Sequence, residues 1–298
     1  MAGCGGGSGG GGRTTAWPLW GRPHLRLPWA PGGGRCCNLL HTLDLRCTPL
    51  ASAHGEMLAQ QLPRSLRSLR SLRLGENDAD LSGLLAPPAP LPPLLRELRI
   101  GDPLYAGRCL NHPGNTLLRR GWAPAAPALG TVHRLILTHT YPCVESLAAS
   151  LGGARSLRHL DLSENGLDQD DMLQLCRSMS GWGGVRALEL GYNRLKDAGE
   201  LLRELSSRWQ RLAYLGLGGN QLDEFVPVPL PQLAELVVEC NNLTLQDVRE
   251  LCAGMTRGDL PRLSVLDMED NEINIDQTHP LWRQLERSLD DFSLRCGW

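Results

Sequence analysis

From residue 40 onward the chain repeats one short pattern of apolar and polar positions. Its clearest copy has leucine at 157, 160, 162 and 167, with Asp161 between the middle pair and Asn165 just after them. Leu160 and Leu162 flank Asp161 as alternate residues of a strand do, so both leucines face one side and Asp161 faces the other. Leu157 enters from the turn before the strand, and Leu167 turns back inward after Asn165. A unit of this size has no core of its own. It buries its leucines only against a neighbour of the same shape, so the copies must stack.

Nine stretches fit the template. Asparagine closes six of them, at Asn77, Asn165, Asn193, Asn220, Asn241 and Asn271. Three others carry the aliphatic positions but end at Thr48, Pro103 and Thr140. Their first aliphatic residues, at 40, 69, 95, 132, 157, 185, 212, 233 and 263, are spaced by 29, 26, 37, 25, 28, 27, 21 and 30 residues. A period near 28 leaves room for a helix between strands. The stretches 170–176, 198–205 and 246–252 carry apolar residues three and four apart, as a helix packed on one side requires.

The spacing L-x-x-L-x-L-x-x-N-x-L is the leucine-rich-repeat signature, and over residues 38–277 the chain resembles the ribonuclease-inhibitor-like subfamily of such repeats. That resemblance implies an α/β leucine-rich-repeat solenoid, a horseshoe with a parallel sheet on its concave face and helices on its convex face. It is specific for architecture and weak for activity, because such folds serve many purposes. Thr278 to Phe292 reads as a last amphipathic helix within 278–298, with Leu281, Leu285, Leu289 and Phe292 on one face, Asp276 or Thr278 as N-cap and Pro280 in the first turn. It is expected to cover the final leucines as a C-terminal cap.

Two segments fall outside the pattern. Residues 1–37 are rich in glycine and proline and hold no acidic residue, the first being Asp44, and are expected to be disordered. A basic, acid-free start also fits a mitochondrial presequence, but its prolines and glycines break the amphipathic helix that import needs. Residues 104–131 form an irregular insertion, read as a degenerate repeat or a binding loop.

Composition narrows the function. The chain is 42% hydrophobic and 21% charged with a formal net charge of −2, so neither nucleic acid nor membrane is expected as a partner. The arginines of 64–73 alternate with leucines that fill repeat slots, and no aromatic residues stand among them to stack bases. No run of 18 apolar residues occurs. The ten cysteines lack metal-site spacing, and Cys176 and Cys252 fall on apolar helix positions, so reduced thiols in the cytoplasm or nucleus are expected. No phosphate loop, zinc-protease or nucleophile-elbow motif is present, and the eight histidines are scattered singly. No catalysis, cofactor or metal is expected.

The strand residues that face away from the leucines carry the remaining information. In the first four strands they include Arg46, Arg73, Arg99 and Arg134 against Asp44 and Glu97. In the later strands they include Asp161, Glu189, Glu235, Glu239, Asp267 and Glu269, with Glu164, Asp270, Tyr192 and an exposed Tyr214 ring extending the set. An inner face that is basic early and acidic late suits a partner protein with a basic surface, with tyrosines as anchors. The same charges also keep an open sheet soluble. The reading is therefore a monomeric, non-catalytic protein-interaction scaffold. Two alternatives stand beside it. One is the substrate-recognition part of a ubiquitin ligase, which needs an adaptor-binding helix not evident here; the other is a regulator of a small GTPase, which needs a strand-loop arginine that no single residue matches.

Overall fold

The computed structural model describes residues 39–46, 58, 62, 64–75, 91–101, 129–178 and 183–294. The glycine-rich start, Asn77 and nearly all of the 104–131 insertion lie outside the described residues. Ten short strands follow one another: β1 Thr42–Asp44, β2 Ser71–Arg73, β3 Glu97–Ile100, β4 Arg134–Leu137, β5 His159–Asp161, β6 Ala187–Glu189, β7 Tyr214–Gly216, β8 Glu235–Val237, β9 Val265–Asp267 and β10 Asp291–Ser293. They form one parallel sheet in which spatial order equals chain order.

The repeat pattern sets the register. The first core aliphatics, Leu43, Leu72, Leu98, Leu135, Leu160, Leu188, Leu215, Leu236 and Leu266, pair in one unbroken row. None is more than 7% exposed. The second aliphatics, from Leu45 to Met268, form a parallel row that is no more than 1% exposed. Burying each such side chain stabilises by roughly 1.5–3 kcal/mol, which no repeat could gain alone.

The asparagines join neighbouring repeats. Asn220 donates from Nδ2 to Leu217 O of its own repeat at 2.8 Å and to Leu190 O of the preceding one at 3.1 Å. Its Oδ1 accepts from Leu195 N, also of the preceding repeat, at 3.1 Å. Asn241 and Asn271 repeat the arrangement on Leu222 N and Leu243 N, each at 3.0 Å. Thr140 takes the asparagine slot of the β4 repeat, and its hydroxyl lies 3.1 Å from Asn165 Oδ1. A buried row of main-chain groups with no strand partner is thereby satisfied.

The helices with described bounds are α1 Val144–Leu151, α2 Gln169–Ser178, α3 Ala198–Arg208, α4 Leu245–Arg257 and α5 Pro280–Ser288. The three helical stretches expected from periodicity are α2, α3 and α4. Each starts or stops on recognisable chemistry. Thr244 and Asp247 form a capping box at α4, with Asp247 Oδ2 accepting Thr244 N at 2.7 Å, and the helix ends at Gly258 in the left-handed conformation. The 21-residue spacing between the β7 and β8 repeats is the shortest, and that connection carries no helix. Phe225 and Leu230, each 2% exposed, fill the core there instead.

The C-terminal end differs from expectation. Helix α5 is capped by His279, whose Nδ1 accepts Leu281 N at 3.2 Å, while Asp276 Oδ1 accepts Thr278 N at 2.8 Å. Pro280 does open the helix. The helix stops at Ser288, and Phe292, expected on its apolar face, lies in β10 opposite Leu266. Leu289, Phe292 and Leu294 fill the first, fourth and sixth slots of a tenth repeat. Phe292 meets Trp282 of α5 edge-on, with ring centroids 5.1 Å apart.

Candidate protein-binding face

Three rows of side chains cover the sheet face opposite the leucines. The row between the two core aliphatics reads Asp44, Arg73, Arg99, Ile136, Asp161, Glu189, Gly216, Val237, Asp267 and Ser293. The row before it includes Arg134, His159, Ala187, Tyr214, Glu235 and Val265, in register. The third row, after the second aliphatic, holds Ser163, Gly191, Gly218, Glu239 and Glu269. From β5 to β9 these rows contain no lysine or arginine. The basic half is partly neutralised within itself, since Arg46 pairs with Asp44 at 2.8 Å and Arg73 with Glu97 at 3.5 Å.

A fourth row borders this face where the chain leaves each strand. His139, Glu164, Tyr192, Gly219, Cys240 and Asp270 all lie in the left-handed region, with φ from 51° to 65°. Only one of the six is glycine, so the repeat imposes the conformation against local preference, at about 1–3 kcal/mol for each of the others. The sheet ladder holds it: Glu164 N, Tyr192 N, Gly219 N and Cys240 N each donate to the next repeat, at Gly191 O, Gly218 O, Glu239 O and Glu269 O, over 2.8–3.0 Å.

The β7 repeat is the low point of this surface. It places Gly216, Gly218 and Gly219 in three of the four rows, and the neighbouring side chains lie over them. A Cβ on Gly216 would meet the Glu189 carboxylate, and one on Gly218 would stand 2.8 Å from Glu239 Cγ. A Cβ on Gly219, at φ 65°, would stand 2.5 Å from the Tyr192 ring. Tyr192 itself is 58% exposed, the most exposed aromatic residue of this surface.

The acidic groups interact through this arrangement. Burial pushes the Glu189 carboxyl above its usual range, opposed by a hydrogen bond from the Tyr214 hydroxyl and reinforced by Asp161. Burial also raises Glu239, followed by the charges of Asp267, Asp270 and Glu269. Glu164 is raised by burial although His139 Nδ1 lies 3.5 Å from its Oε2. The Tyr192 and Tyr214 phenols are raised by burial first and then by the surrounding carboxylates.

The expected residues do not all reach the surface equally. Tyr192 is open to solvent, while Glu164, Glu189, Glu235, Glu239, Asp267 and Glu269 are partly exposed. Asp161 is only 6% exposed and accepts Ser163 N at 3.0 Å, so it offers the face its charge but little contact area. Tyr214, expected with an exposed ring, is half-buried because its hydroxyl is turned onto Glu189. The glycine floor was not anticipated, although Gly216, Gly218 and Gly219 stand together in the sequence. Among the described residues no group of three or more histidine, cysteine or acidic side chains is placed to hold a metal ion, and no helix is long and apolar enough to cross a membrane.

No protein-family profile and no curated protein sequence matches the chain. Solved structures do share its architecture. An internalin, InlF of Listeria monocytogenes, is similar over 87% of this chain and 62% of its own length, at 15% identity and a TM-score of 0.52. InlP of the same bacterium is similar over 80% of this chain and 58% of its own, at 18% identity and a TM-score of 0.52. The chain thus spans less than two thirds of the length of either protein, and at these identities the likeness is one of fold. With its ten parallel strands in chain order, leucine rows and asparagine ladder, the molecule is an α/β leucine-rich-repeat solenoid.

Proposed function

We propose that this chain is a non-catalytic scaffold that holds a partner protein with a basic surface on the inner face of its sheet. The observation that carries the reading is the sign of that face: from β5 to β9 its rows are acidic and hold no lysine or arginine. Glu239 is raised by burial first and then by the charges of Asp267, Asp270 and Glu269, and a nearby cation relieves that second part, the repulsion that the free protein must sustain. Charges of one sign also steer an oppositely charged partner into encounter. Because the sheet is already ordered, little freedom is lost on its side when a partner docks. Tyr192 supplies an exposed aromatic contact of the kind that dominates binding energy.

The test is an affinity capture with wild-type protein and with a quadruple variant, Glu189→Lys, Glu235→Lys, Glu239→Lys and Asp267→Lys, matched for thermal stability. Partners captured by the wild type and lost by the variant support the acidic face. Identical partners from both proteins would remove it from consideration.

A further inference from the structure

The acidic half of the inner face is not uniform, and its unevenness says which cation it fits. Glu189 reaches in from β6 and Glu239 from the β8 repeat, and both side chains lie over the β7 repeat, where Gly216 and Gly218 offer no side chain of their own. Those glycines are alternate residues on one face, so the two carboxylate-bearing side chains converge on points ~7 Å apart. The Tyr192 ring lies beside them over Gly219 and remains 58% exposed. No arginine or lysine of the inner rows from β5 to β9 stands between the two carboxylates.

Resting on the inner-face reading above, we infer that the sheet face across β6, β7 and β8 docks an arginine-bearing segment of the partner, with one guanidinium between Glu189 and Glu239 and against Tyr192. Arginine fits where lysine does not. Its planar fork has five donors that can reach carboxylates on two sides at once, and its flat face stacks on an aromatic ring. An ammonium is a compact point charge with a tighter water shell, its three donors fan from a single nitrogen, and it has no flat face to stack on the ring. The glycine floor supplies depth, because any side chain at 216 or 218 would push Glu189 or Glu239 outward. Tyr214 holds one wall in place through its hydrogen bond to Glu189.

The experiment measures fluorescence anisotropy of labelled hexa-arginine and hexa-lysine peptides on the full chain. Wild type should bind the arginine peptide tighter by about threefold or more, the scale of one stacking contact. The Gly216→Ala, Gly218→Ala double variant keeps every charge and should lose that preference, as should Tyr192→Leu, which keeps an apolar side chain but removes the ring. Equal binding of both peptides by the wild type, or an undiminished preference in both variants, overturns the arginine reading while leaving the acidic face intact. If the quadruple lysine variant binds hexa-arginine as tightly as wild type does, or if wild type binds neither peptide, both readings fall. Thermal melts of each variant separate lost folding from lost recognition.

Discussion

The side-chain oxygen of Asn193 takes the amide proton of Leu167, one repeat earlier, at 3.0 Å. The same oxygen accepts Asn165 N at 3.1 Å, and the side-chain amide nitrogen donates to Leu162 O at 3.1 Å and to Leu190 O at 2.8 Å. Asn193→Ala would leave the buried amides of Asn165 and Leu167 without an acceptor, while Leu162 O and Leu190 O keep Asn165 Nδ2 and Asn220 Nδ2 as donors. The expected loss is ~2 kcal/mol or more, read as a lower urea midpoint, because each unsatisfied buried group costs about 1–3 kcal/mol. A change below ~1 kcal/mol would show that the ladder is dispensable.

Gly219 and Tyr192 make a second test of packing. Gly219→Ala combines a left-handed backbone at φ 65° with a Cβ set 2.5 Å from the Tyr192 ring. It should cost about 1–3 kcal/mol, and the ring should move. Tyr192→Gly should have the opposite sign, because it relieves a left-handed tyrosine at φ 56°. Its expected gain is ~1 kcal/mol at most. A stabilised variant that binds its partner more weakly would mark Tyr192 as a residue kept for contact rather than for folding.

Glu164, Glu189 and Glu239 are all pushed above the ordinary carboxylate range, chiefly by burial. The folded chain therefore holds their protons more tightly than the unfolded chain does. Their contribution to stability is fully present below the unfolded pKa of about 4.3 and is lost as pH rises through the raised folded values. The Glu189→Gln, Glu239→Gln variant should thus gain melting temperature over wild type at about pH 7.5 and lose most of that advantage near pH 5. An advantage that does not change with pH would contradict the shift.

The thiols divide by position. Cys176 is fully buried, which pushes its thiol up to about 12, and burial raises Cys252 as well. Cys143 and Cys240 are half-exposed. Site-resolved alkylation of the native protein should label Cys143 and Cys240 and spare Cys176 and Cys252 until the chain is unfolded. Labelling of Cys176 under native conditions would place α2 elsewhere than on the core.

The leucine slots and the asparagines were legible in the sequence because one geometry demands the same residue at the same step in every repeat. Helices α2, α3 and α4 were legible for the same reason. The tenth strand was not, because Phe292 occupies a leucine slot and also continues the apolar face begun by Leu281, Leu285 and Leu289, so a longer helix explained it equally well. Backbone conformation decided otherwise, with Leu289 already extended at φ −121°. On the inner face, alternation gave the direction of each side chain but not its depth. Asp161 is drawn down onto Ser163 N and Tyr214 onto Glu189, and both contacts depend on neighbours in three dimensions. The left-handed row was hidden because tyrosine, glutamate and cysteine do not announce that conformation as glycine would.

The missing helix between β7 and β8 has a consequence for shape. A helix is ~10 Å across, while adjacent strands stand ~4.8 Å apart, so a repeat that has both is a wedge, broad outside and narrow inside. Wedges set side by side make an arch. The helix-free connection, packed with Phe225 and Leu230 instead, is a parallel-sided stone in that arch, so the curve relaxes at this step. That helix-free step adjoins the glycine floor of the β7 repeat, so the wedge that would curl the sheet over its inner face is missing beside the lowest part of that face.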